Sequence, residues 1–284
     1  MTALYTELPP LKHLVLRSVH LSPYGPGVTL RVELPRFPDL APAAWTEAGC
    51  DRFEVQIQFL AVGEDLRMRG VPNRTVVDIE FGPFAQDQGH GITVAVSGPG
   101  FSLDFTAHAT VLARHLNASA PTTRIPTQLG DGSRADSTST CTRCCLPRQP
   151  RLSMTGRDWS AEVTHPETLR EVLGSPPPPL SDYGLTSVLI DEREASVTLR
   201  FFAFAVPVGA ADLWRARGHN AVEFVLVCIG VKNFGVDGWS CRPTTVATVV
   251  GKAVVLAGQG KRVSFEAAEI RAEVPIGRLA SRVP

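Results

Sequence analysis

Residues 9–45 recur, shifted by 169 positions and without a gap, at 178–214. Pro9, Pro10 and Leu11 fall on Pro178, Pro179 and Leu180. Leu16 falls on Leu185, and Ser18 and Val19 fall on Ser187 and Val188. The run from Val28 to Arg31 falls on the run from Val197 to Arg200, Pro38 on Pro207, and Trp45 on Trp214. A period this long marks a duplicated domain and not a solenoid unit of about 20–50 residues. Whatever fold the first stretch adopts, the second must adopt as well.

Farther along, Val222, Phe224 and Leu226 keep the offset. It slips by one near Gly70 and Gly238 and shortens to 160 where Gly98, Gly100 and Phe105 meet Gly258, Gly260 and Phe265. The length difference is concentrated between Gly70 and Gly98, where a surface loop absorbs it. The copies therefore share strands and differ in a hairpin.

Both copies read as mainly β. Phe53, Val55, Ile57 and Phe59 alternate with Glu54, Gln56 and Gln58, the period-two signature of a strand with one face in a core and one in water. Similar short runs at 14–21, 28–34, 76–81, 92–96 and 101–106 are separated by glycine and proline. The expected fold is two tandem antiparallel domains, each β-sandwich-like or a curved sheet. They span residues 1–117 and 154–284. Between them, residues 118–153 contain no aromatic residue, valine, lysine or glutamate. Such a segment buries too little apolar surface to offset its ordering entropy, so a flexible linker is expected.

Thr164, Pro166 and Glu167 fit a capping box that opens a short helix before the second domain, with Leu169, Val172 and Leu173 on one side. The first copy has no room for this helix. The second copy also replaces Gln56 and Gln58 by Val225 and Val227 on the outer strand face, which needs a cover. The helix is the nearest candidate, and the other copy or a partner is the alternative.

Chemistry leaves little trace. Lysine plus arginine equals aspartate plus glutamate, 28 against 28, so no overall field marks a nucleic-acid or membrane-surface binder. No secretory signal is readable at the start, and the apolar run near 221–231 is too short to span a bilayer. A cytoplasmic chain with reduced thiols is expected, and the sequons at Asn73 and Asn117 then carry no glycan. Cys141, Cys144 and Cys145 form a CxxCC without a second ligand pair, so no metal or cofactor is expected. His13, His20, His90, His108, His115, His165 and His219 have no histidine at any assignable matched position. His90 is expected in a hairpin turn. No nucleophile elbow, phosphate loop, dinucleotide fingerprint or metalloprotease motif is present.

A catalytic site kept in both copies would repeat its polar residues. Those that repeat are Ser18 with Ser187, Thr29 with Thr198, Arg31 with Arg200, and Glu54 with Glu223. Strand parity puts each Arg and Glu on an outer face, where a cross-strand pair adds ~0.2–1 kcal/mol. Trp45 and Trp214, each following Pro38 or Pro207, read as repeated structural anchors; exposed rings would instead mark an interface.

The order of these motifs, from the Pro-Pro-Leu run through the Val-Thr-Leu-Arg run to Pro and Trp, resembles bacterial immunity protein family 50. The second copy resembles it from a lead-in that includes Met154 and Trp159, and the first from about Leu8 to Asn117. The resemblance implies two immunity domains that bind and neutralise a cognate toxin protein without catalysis. A tandem β-module for a glycan or peptide is the alternative, since two copies on a tether give avidity.

Overall fold

In this computed structural model, residues 4–86, 89–120 and 158–280 are described. Cys141, Cys144, Cys145 and most of the expected linker lie outside them. The first copy contains β1 (Leu14–Ser22), β2 (Gly27–Glu33), α1 (Ala43–Glu47), β3 (Arg52–Leu60) and β4 (Arg67–Arg69). It continues through β5 (Val76–Gln86), β6 (Gly89–Gly98), β7 (Phe101–His108) and β8 (Val111–Ser119). The second opens with α2 (Glu167–Leu173) and repeats the plan as β9 (Gly184–Asp191), β10 (Ser196–Ala203), α3 (Ala211–Ala216), β11 (Ala221–Ile229) and β12 (Lys232–Asp237). It closes with β13 (Thr244–Val250), β14 (Ala253–Gly258), β15 (Lys261–Glu266), β16 (Glu269–Ala272) and β17 (Ile276–Arg278). The fold is mainly β, as expected, and among the described residues the strands pair antiparallel.

The copies are not separate beads. One sheet runs β8–β3–β2–β1–β9–β10–β11, with β16 and β17 sharing the far side of β11. The other runs β5–β6–β7–β4–β12–β15–β14–β13. Each sheet crosses from one copy to the other at its centre, through β1–β9 in the first and β4–β12 in the second. A short pairing of β1 with the start of β5 links the two. Their inner faces supply a single apolar cluster, into which Leu16, Leu30, Phe59, Met68, Leu103, Leu199, Leu226 and Val263 all project. Phe59 of β3 meets Phe105 of β7 edge-on at 5.2 Å between ring centres.

The local devices repeat with the sequence. A bulge at Arg17 shifts the β1–β2 register, and a bulge at the matched Thr186 shifts β9–β10. Gly70 and Gly238 both hold positive φ, +85° and +75°. A Cβ on either would stand 2.1 or 2.3 Å from the carbonyl oxygen of Gly100 or Gly260, so a side chain fits neither. The length difference lies in the hairpin: β5 and β6 have 11 and 10 residues, β13 and β14 only 7 and 6.

Some expectations need correction. The helix forms, but its first residue follows Pro166 with no side-chain cap. Thr164 instead pairs with β16, its amide donating to the Ile270 carbonyl at 2.7 Å. Nor does α2 cover the outer face of β11. Leu169 and Leu173 enter the cluster that holds Phe224 and Leu226, whereas Val225 is buried outside it. Trp159 stacks on Phe224 at 5.9 Å, so this part of the lead-in also packs on the inner side. His90 lies in β6, paired with Ala85, and not in a turn. The segment around His108 and His115, unassigned from sequence, ends β7 and forms the edge strand β8.

Candidate interaction surface

Because β1 and β9 pair at the centre of the first sheet, its outward face is continuous across both copies. The repeated arginines and glutamates gather there. Arg31 on β2 and Glu54 on β3 are diagonal neighbours, Nε to Oε2 3.7 Å. Arg200 on β10 and Glu223 on β11 take the same diagonal, Nη1 to Oε1 2.6 Å. Each glutamate also meets a second arginine, but from different places. Glu54 lies 3.7 Å from Arg17 on β1, and Glu223 lies 2.9 Å from Arg278 on β17.

Arg17 alternates with the buried Leu14 and Leu16 and so lies on the outer face, at the bulge in β1. It donates to Glu33, and across the copy boundary to Glu192 at 2.6 Å. Burial alone would lower its affinity for a proton; the hydrogen bonds it donates to Glu33 and Glu192 outweigh that and raise its pKa. Beside it, the nearly buried Asp191 accepts from both the amide and the guanidinium of Arg193, at 2.8 and 3.0 Å. Burial pushes this carboxyl up, but Arg193 wins and holds it below the usual aspartate range. The first-copy end of the ridge thus sets Glu33, Glu54 and Glu192 against Arg17 and Arg31, and the second-copy end sets Arg200 and Arg278 against Glu223.

His20 lies between the two ends, with Nε2 2.8 Å from Ser187 Oγ. Burial first, and the positive field of Arg200 second, hold its pKa below the ordinary histidine value. It is a neutral ring in a hydrogen bond that joins the copies.

The tryptophans sit elsewhere. Trp45 on α1 is half-buried between Phe37 and Phe53, at 6.4 and 5.8 Å. Trp214 on α3 is 8% exposed. Both carbonyls accept from the residue five along, Cys50 or His219, at 2.9 Å. Pro38 is buried and Pro207 half-buried on the approaches to these helices. These four residues form the turn between the second and third strands of each copy, away from the charged ridge.

Sequence reading missed Arg17, Glu192 and Trp239. Trp239, fully buried, donates from Nε1 to the Ser22 carbonyl of the other copy at 2.9 Å. Its signal was faint: it follows Gly238, the glycine matched to Gly70. Among the described residues no group of three His, Cys, Asp or Glu stands close enough to hold a metal ion. A shallow cleft beside Thr164, His165 and Ala272 contains Arg271, but Glu269 already holds that guanidinium at 2.9 and 3.0 Å.

A family model described as immunity protein 50 matches residues 1–114 and again 165–273. The chain belongs to that family, in two copies. No curated protein and no solved structure matches it. The two immunity protein 50 matches lie on either side of the β1–β9 and β4–β12 pairings. Together they contain the whole charged ridge except Arg278.

Proposed function

We propose that this chain is a non-catalytic cytoplasmic immunity protein, which binds a cognate bacterial toxin and neutralises it by stoichiometric occlusion. The observation that carries the reading is membership of the immunity protein 50 family in two copies. The two immunity domains are assigned to residues 1–117 and 154–284, joined by 118–153. Two features of the surface support a binding role. The ridge presents arginines and glutamates from both copies on one continuous outward face, a polar surface that a partner of complementary charge pattern can engage. Its matched charged residues, Arg31 with Glu54 and Arg200 with Glu223, are engaged in ion pairs. Among the described residues no helix is long and apolar enough to cross a membrane.

A glycan- or peptide-binding module would offer Trp45 and Trp214 as open platforms. The burial of Trp214, and the packing of Trp45 between Phe37 and Phe53, count against that use. The test is co-expression of the toxin gene adjacent to this one, with and without the chain. Growth restored only when the chain is present supports the reading; no rescue from any adjacent toxin overturns it.

A further inference from the structure

The boundary between the copies obeys a two-fold exchange. In the first sheet His20 stands opposite Leu189, and these two are each other's counterparts under the offset of 169. In the second, Met68 stands opposite Val236, counterparts under the offset of 168 that Gly70 and Gly238 share. The hydrogen bonds exchange in the same way. The Gly70 amide donates to the Phe234 carbonyl at 3.0 Å, and the Gly238 amide donates to the Leu66 carbonyl at 2.7 Å. A contact in which residue and counterpart trade places is isologous, the geometry of a two-fold homodimer.

Departures from the exchange have local causes. The Glu192 amide donates to the Arg17 carbonyl at 2.9 Å, but the position matched to Glu192 is Pro23, which has no amide hydrogen to return the bond. Trp239 is matched by Val71, which has no side-chain donor. The boundary also has the content of an interface core. Val19, Leu21, Met68, Val188, Ile190 and Val236 are wholly buried, and Arg69 crosses it to reach the Val236 carbonyl at 2.9 Å and Asp237 at 2.5 Å.

We propose that the protein is a two-fold homodimer fused into one polypeptide: the two boundaries hold the copies together without the connecting segment, and each copy's boundary surface is built to receive a second, separate copy. This holds whether or not the partner of the fused chain is a toxin.

The test uses the full chain with a protease site inserted between residues 130 and 131, cut after folding. The expected result is two fragments that co-elute with the mass of the uncut 30.6 kDa chain at micromolar concentration. Fragments that separate, or that precipitate once cut, would overturn the proposal. A second arm measures exchange of a labelled fragment into the cut protein, with and without Arg69→Ala. Arg69 is about half exposed, and both its partners beyond its own neighbour lie in the other copy. Exchange about fivefold faster in R69A is expected, from loss of about 1 kcal/mol. An unchanged rate would mean that something other than the β4–β12 boundary holds the fragments.

Discussion

His20 Nε2 lies 2.8 Å from Ser187 Oγ, a side-chain hydrogen bond between the two copies at the centre of the first sheet. Burial and the nearby Arg200 keep this imidazole neutral, with its pKa below the ordinary value of about 6.5. Above that value neither the folded nor the unfolded state holds the proton, and the shift contributes nothing. As pH falls below it, the unfolded chain takes up a proton that the folded chain resists, so stability is lost. Denaturant midpoints from pH 7 to pH 5 should therefore fall more steeply for the natural chain than for His20→Gln. Parallel slopes would show that folding leaves the proton affinity of His20 unchanged, contradicting the lowered pKa.

The ridge arginines should differ in worth. Arg17 and its partner carboxylates Glu33 and Glu192 are each less than a fifth exposed, so Arg17→Met leaves two shielded charges without their cation. The expected cost is ~2 kcal/mol, partly recovered when Glu192→Gln is added. Arg200 is nearly half exposed, and Glu223 keeps Arg278 at 2.9 Å, so Arg200→Met should cost under ~1 kcal/mol. Equal losses in urea unfolding would contradict this ranking.

Two glycines with nearly the same φ separate strain from crowding. Gly218 at +74° has nothing within 4 Å of a built Cβ, whereas Gly238 at +75° would place it 2.3 Å from the Gly260 carbonyl oxygen. Gly218→Ala should cost only the left-handed penalty, ~1 kcal/mol. Gly238→Ala adds a clash with backbone and should cost at least ~3 kcal/mol. Thermal melts of the two variants measure the difference.

Trp239 both fills core volume and satisfies a carbonyl of the other copy. Trp239→Phe should cost ~1–2 kcal/mol by leaving the Ser22 carbonyl without its donor. Trp239→Ala should cost ~3–5 kcal/mol by opening a cavity at a site with no exposure. If W239F melts like the natural chain, the bond to Ser22 contributes nothing.

The elements were legible because local signals decide them. Alternation along 53–59 places Phe53, Val55, Ile57 and Phe59 inward, and the matched offsets locate the shorter second hairpin. Edge strand β8 was not legible, since Val111 and Leu116 remain exposed and leave no one-sided pattern. The continuity of the sheets was hidden for a different reason. Strand pairing between copies depends on backbone groups of Val19 and Met68, and nothing in those side chains distinguishes a central seam from any other buried strand. Arg17 was likewise hidden, because its partners Glu33 and Glu192 come from elsewhere in the chain, one of them in the other copy. Thr186 stands at the matching bulge without a charge, so comparison of the copies passed over the position.

The most direct test of stoichiometric occlusion is a titration of the purified cognate toxin's activity with the purified chain. Activity should fall linearly and end at a fixed molar ratio, one chain per toxin if the continuous ridge is a single surface and one per two if each copy binds alone. Full loss of activity at a small fraction of the toxin concentration, or no loss at excess, would contradict neutralisation by binding.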